Sequence, residues 1–95
     1  MSQPLRTRTV TVTNADGVHF RAAMAIAETV RRFDCRVVLV KNAERAEGND
    51  MLQILSMATR AGEQLLLEAG GPQADEALAA LEQLFAGNFG EDPAA

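Results

Sequence analysis

The sequence contains no Trp and no Tyr, and its only aromatics are four Phe. A nucleic-acid platform of stacked aromatic rings therefore has almost nothing to be built from. There is one cysteine, Cys35. That excludes an internal disulfide and a cysteine-based zinc site, and makes a reduced, cytoplasmic compartment the default expectation. There is also only one histidine, His19, so no metal and no cofactor are expected. The longest strongly apolar run lies between Arg21 and Glu28, far short of a membrane span. No apolar signal region follows Arg6 and Arg8, so neither membrane insertion nor secretion is expected.

What is present fits one folded unit. The chain has 95 residues, 47% of them hydrophobic and 23% charged, which is enough for one domain and too little for two. The expected domain spans residues 1–95, with a core over about 6–86 and a frayed tail over 88–95. Charge is unevenly distributed. Residues 1–45 hold eight Lys/Arg against four Asp/Glu, and residues 46–95 hold one against nine. Arg31, Arg32 and Arg36 either serve an anionic partner or simply solvate a helix end and a strand. The overall net charge of −4 opposes general affinity for DNA or membrane surfaces.

The chain punctuates itself clearly. Residues 6–13, Arg-Thr-Arg-Thr-Val-Thr-Val-Thr, alternate strictly and are rich in β-branched types, so they predict a strand with one half-buried face. Asn14-Ala15-Asp16-Gly17 is turn chemistry. Ala23, Ile26, Ala27 and Val30 then form one helical stripe ending near Phe33 and Asp34. Cys35–Lys41 contains a second strand, and Glu44–Ala46 a short third one after a turn at Asn42-Ala43. Asp50 is placed to cap a short helix over Met51–Ala58. Glu63–Ala69 reads as a fourth strand. Pro72 suits a first helical position, Asp75 and Glu76 a first turn, and Gly87 the residue just past a helix end. The order is β-α-β-β-α-β-α. It predicts a two-layer α+β open-faced sandwich, an antiparallel sheet of four strands covered on one face by helices.

His19 is placed at the N-terminus of the first helix. Helix N-termini disfavour imidazolium and offer unpaired N–H groups to an anion. A neutral imidazole on such a site can attack phosphorus and hold the resulting dianion, and Arg21 stands close enough to add a guanidinium. The plainer alternative is a capping or surface histidine. The short helix carries Met51, Leu52, Ile54, Leu55, Met57 and Ala58 around most of its circumference. Some of Met51, Leu52 and Leu55 should remain exposed, either as a partner surface or covered by loops or a second copy.

These residues resemble a known family. Gly17-Val18-His19-Phe20-Arg21-Ala22-Ala23 is similar to the active-site segment Gly-(Leu/Ile/Val)-His-x-Arg-Pro-Ala of HPr, the histidine-containing phosphocarrier of the bacterial phosphoenolpyruvate-dependent sugar phosphotransferase system. Asp50 falls where that family carries its regulatory serine. Met51–Met57 resembles the apolar helix that follows that serine, and Arg60-Ala61-Gly62-Glu63 the approach to the last strand. The likeness covers roughly residues 6–86. It implies that His19 is phosphorylated through Nδ1, that Arg21 assists transfer, and that Phe20, Ala22, Met51, Leu52 and Leu55 lie on the surface that docks enzyme I and enzyme IIA proteins. It implies a phosphoryl relay rather than an enzyme, and a monomer.

Two departures stand out. Ala22 replaces the usual proline, which loosens φ and adds one N–H. Asp50 replaces serine and cannot hold a phosphoryl group stably. It either acts as a permanent partial phosphoserine or is only a helix cap. The expected function is a phosphocarrier between enzyme I and enzyme IIA. A regulatory protein of the same fold, binding a kinase, an enzyme or a transcription regulator without sugar flux, is the alternative. A small nucleic-acid-binding module using Arg31, Arg32 and Arg36 is opposed by the acidic second half.

Overall fold

A computed structural model describes residues 4–90. Four strands and three helices alternate along the chain: β1 (Arg6–Thr11), α1 (Phe20–Arg31), β2 (Arg36–Lys41), β3 (Glu44–Glu47), α2 (Met51–Ser56), β4 (Gln64–Gly70) and α3 (Ala74–Ala86). All strand pairs are antiparallel and the spatial order is β1-β4-β2-β3. The last strand in the sequence thus lies between the first two. Leu67 faces Arg8 on one side and Leu39 on the other.

Alternation along each strand sorts residues onto two faces. Val37, Leu39, Leu65, Leu67 and Ala69 join Val10 and Val12 in the core under the helices. Ala22, Ala23, Ile26, Ala27 and Val30 of α1 meet Ala77, Leu78, Leu81 and Phe85 of α3 in the same cluster. The alanines on both helices let α1 and α3 approach each other closely. On the open face stand Arg36, Val38, Arg45 and Glu68, with Arg45 donating to Glu68 at 2.6 Å and Arg36 paired with Glu47. The expected architecture, one sheet with a single covered face, is the observed one.

The first strand is a variation on its own pattern. It ends at Thr11, although Val12 still exchanges backbone hydrogen bonds with Glu63 and Gly62. At its start the helix side of the alternation is occupied by arginines rather than apolar residues. Arg6 faces Asp75 at 3.7 Å and Arg8 faces Glu82 at 3.4 Å, both on α3. Such exposed pairs contribute little individually.

Several helix ends differ from the expected positions. α1 stops at Arg31, with the Arg32 N–H turned back to Thr29 and Val30, and α2 stops at Ser56. Pro72 precedes α3 rather than opening it. Gln73 is the N-cap, and the Gln73 carbonyl accepts from the Ala77 N–H at 3.0 Å. Gly87 is not left-handed (φ −87°), and the left-handed turn is made by Asn88 at φ 54°. Asn tolerates that conformation better than most residues. Asn88 is buried and its Oδ1 accepts from the Thr13 hydroxyl. Residues 88–90 therefore form an anchored 3₁₀ turn rather than a frayed end. The rest of the tail, 91–95, lies outside the described residues.

Lys41 ties three elements together. Its Nζ is nearly buried, donates to the Met57 carbonyl at 2.5 Å and stands 3.6 Å from Glu63. The backbone N–H of Arg60, aided by Lys41, holds the Glu63 carboxyl below its ordinary value of 4.5. A hydrogen bond from Arg36 does the same for Glu47. Depressed carboxyl pKa values stabilise the fold above the unfolded value, and that stabilisation is lost as pH falls through the folded value. Stability is therefore expected to decline on acidification below about pH 4.5. Denaturation midpoints of Glu63→Gln against wild type check this, because the acid decline should be shallower in the variant. Superimposable pH profiles would remove Glu63 from the account.

Candidate functional site

The segment before α1 is held from both sides. Asn14, fully buried, closes the turn. Its carbonyl accepts from the Gly17 N–H at 3.2 Å, and its Nδ2 donates to the Gly17 carbonyl at 2.8 Å. The Val18 N–H donates to the Thr59 carbonyl at 2.9 Å, across from the loop after α2. Gly17 adopts φ +66°, and a Cβ there would stand 2.5 Å from the Thr59 carbonyl oxygen. The close approach of these two loops requires glycine at this position. Val18 enters the core one residue before His19, and Ala22 and Ala23 enter it just after. Between these anchors, His19 is half-buried while Phe20 and Arg21 face solvent.

His19 is the N-cap of α1, with extended backbone angles. Its carbonyl accepts from the Ala23 N–H at 2.9 Å, the first helical bond. Its ring accepts through Nδ1 from the Arg21 N–H at 3.1 Å. An imidazole nitrogen that accepts from an N–H carries a lone pair and no proton. The geometry therefore orients the Nδ1 lone pair toward the amide groups of the first helical turn. An electrophile bonded to Nδ1 would bring its oxygens to the same amides. The Arg21 guanidinium has no ion-pair partner among the described residues, although Arg6, Arg8, Arg36 and Arg45 are all paired.

The second helix presents the other expected residues. Asp50 caps α2 thoroughly. Oδ1 accepts from the Leu52 and Gln53 N–H groups at 3.0 and 3.2 Å, and Oδ2 accepts from Gln53 Nε2 at 3.1 Å. Gln53 Oε1 in turn accepts from the Glu47 N–H at 2.9 Å, a variant of the capping box. Arg31 of α1 donates to the Asn49 carbonyl at 2.7 Å, bringing the end of α1 to this cap. Leu52 is 71% exposed, Met51 and Leu55 are half-buried, and Ile54 and Met57 are buried. Phe20 is 57% exposed, whereas Ala22, expected on the docking surface, is wholly buried. A side chain wholly buried in the core can meet no partner, so Ala22 acts only through its backbone.

Three further contributors escaped sequence reasoning. Met24 is one helical turn from Phe20 and exposed beside it, and that i, i+4 spacing was a usable signal. Asn14 and Thr59 hold the His19 segment; Asn14 is marked only as the start of a turn, and no local pattern marks Thr59. Cys35 is remote in role: burial first, then Asp34, raises its thiol pKa, so it is not a nucleophile poised at neutral pH.

Comparison with known proteins agrees with this geometry. Residues 6–87 match the family described as PTS HPr component phosphorylation site. The chain is 42% identical over 87 residues to phosphocarrier protein NPr of Escherichia coli K12, covering 90% of this chain and 96% of that one. It is 36% identical over 85 residues to phosphocarrier protein HPr of Treponema pallidum, covering 90% and 97%. The crystal structure of HPr-C-His from Thermoanaerobacter tengcongensis superimposes with a TM-score of 0.87 at 26% identity, over 92% of this chain and 98% of that one. The element order, the capping histidine and these likenesses converge: this chain belongs to the HPr family, the phosphocarriers of the phosphotransferase system, and is a relay component rather than an enzyme.

Proposed function

We propose that His19 Nδ1 accepts a phosphoryl group from enzyme I charged by phosphoenolpyruvate and passes it to a histidine of an enzyme IIA protein, in the cytoplasm. The observation that carries this is the Arg21 N–H to Nδ1 bond, which leaves Nδ1 as the nucleophilic nitrogen and aims it at the helix amides. The Nδ1 lone pair attacks phosphorus as the donor's P–N bond breaks, its electron pair returning to the donor nitrogen. The negative charge of the arriving phosphoryl group is matched by the first-turn N–H groups and by Arg21. The reverse exchange, with an acceptor histidine in line, empties the carrier. Phe20, Met24 and Leu52 supply exposed apolar surface for both partners. The test is incubation with enzyme I and phosphoenolpyruvate followed by intact mass. One added phosphoryl group, acid-labile and base-stable, is expected. An acid-stable adduct, or none, refutes the reading.

The regulatory alternative rests on Asp50, which places a fixed carboxylate beside Leu52 where the family carries a serine. Cap and charge are separable. Asp50→Asn and Asp50→Ser keep a capping oxygen and remove the charge, while Asp50→Ala removes both and should cost about 1 kcal/mol. If the charge tunes docking, the Asn and Ser variants are phosphorylated faster than wild type by an enzyme I with an acidic surface, most clearly at low salt. Wild-type rates in both, with stability lost only in Asp50→Ala, would reduce Asp50 to a cap.

A further inference from the structure

The chain has nine Lys and Arg residues. Seven of their side chains have partners within the fold. Arg6 and Arg8 face Asp75 and Glu82, Arg36 and Arg45 pair with Glu47 and Glu68, and Lys41 is held by Met57 and Glu63. Arg31 donates to the Asn49 carbonyl, and the Arg32 guanidinium lies 5.8 Å from the Phe33 ring centroid. Among the described residues, the Arg21 and Arg60 guanidinium groups alone have no such partner. Both belong to segments that meet at His19.

Arg21 is there by sequence and Arg60 by folding. The Val18 N–H bond to the Thr59 carbonyl docks the loop after α2 on the residues just before His19. A Cβ on Gly17 would stand 3.0 Å from the Arg60 Cα, so the two backbones are in contact. From there His19 is two Cα steps away, each about 3.8 Å, within the span of an extended arginine side chain plus an imidazole ring. Among the described residues no ion pair holds the Arg60 guanidinium, although its charge acts on the Glu63 carboxyl through space. Glu63 Oε1 accepts from the Arg60 backbone N–H at 2.7 Å and stands 3.6 Å from Lys41.

We propose that Arg60 is a second guanidinium of the phosphoryl site, contacting the phosphoryl oxygens of phospho-His19 from the Thr59 side while Arg21 contacts them from the helix side. This rests on phosphorylation of His19 as proposed above. A phosphoryl group offers three acceptor oxygens and nearly two negative charges, so two guanidinium groups can contact it from opposite sides. A cation in contact with those oxygens favours the dianion and lowers the pH at which it forms.

The test is a phosphorus NMR titration of the phosphorylated full chain. Loading is done with enzyme I and phosphoenolpyruvate and, separately, with phosphoramidate, which needs no partner. Arg60→Ala should raise the titration midpoint of the phosphoryl group by about half a pH unit and change its hydrolysis rate severalfold. Arg60→Lys should fall between Arg60→Ala and wild type. Arg32→Ala, which removes the same charge at the far end of α1, should leave the midpoint in place. A midpoint in Arg60→Ala equal to that of Arg32→Ala overturns the role of Arg60 while leaving His19 as acceptor. Failure of both donors to load His19 overturns the acceptor reading and this proposal together.

Discussion

His19→Ala is expected to abolish phosphoryl acceptance entirely while the protein stays folded. No other side chain combines an accepting ring nitrogen with the amides of a helix N-terminus, because His19 is the only histidine. The loss of stability should be small, about the size of a capping bond, since the half-buried ring caps α1 by accepting from the Arg21 N–H. That is about 0.5 kcal/mol, or a few degrees in melting temperature for a domain of this size. His19→Asn separates the two roles, because its amide oxygen can still cap α1 but cannot carry a phosphoryl group. It should match wild type in melting temperature and His19→Ala in phosphorylation. Acid-labile label surviving in either variant would move the acceptor elsewhere.

Gly17→Ala should produce the largest loss of stability near the site. The residue adopts φ +66°, which costs a non-glycine residue about 1–2 kcal/mol. The added Cβ would also press on the Thr59 carbonyl oxygen at 2.5 Å, a backbone atom that accepts the Val18 bond and cannot rotate away. A total of about 3 kcal/mol is expected, with slower transfer as the His19 segment shifts off the Thr59 loop. Gly62 is the internal control. It has φ +90° and nothing within 4 Å of a Cβ, so Gly62→Ala should show the backbone penalty alone. Urea denaturation of the two variants makes the comparison. Equal losses would mean that the close approach of the two loops is not what requires Gly17.

Much of this was legible in the sequence, because it depends on near neighbours. Strict alternation over residues 6–13 marks a strand, and Ala23, Ile26, Ala27 and Val30 mark the buried face of α1, whatever they pack against. Asp50 ahead of an apolar run marks a cap, and His19 after Gly17-Val18 marks a helix start. These patterns carry period and capping chemistry, which are local. They also set the element order and the position of the nucleophile. Where local signals erred, a distant residue intervened. Gly87 looked like the left-handed terminator, but the Thr13 hydroxyl holds Asn88 in that role. The family likeness implies that Ala22 docks partners, but its face of α1 is the core face.

Which strands are neighbours and which loops meet is settled by long-range contacts. Insertion of β4 between β1 and β2 follows from long-range pairing that no window of sequence contains. That pairing brings Thr59 and Arg60 against Gly17 and Val18. Local chain chemistry alone specifies a histidine that caps a helix, with an arginine two residues on. Folding brings Arg60, a second arginine without an ion pair among the described residues, to the same segment, because the contact joins residues far apart in the chain and close only once the sheet has formed.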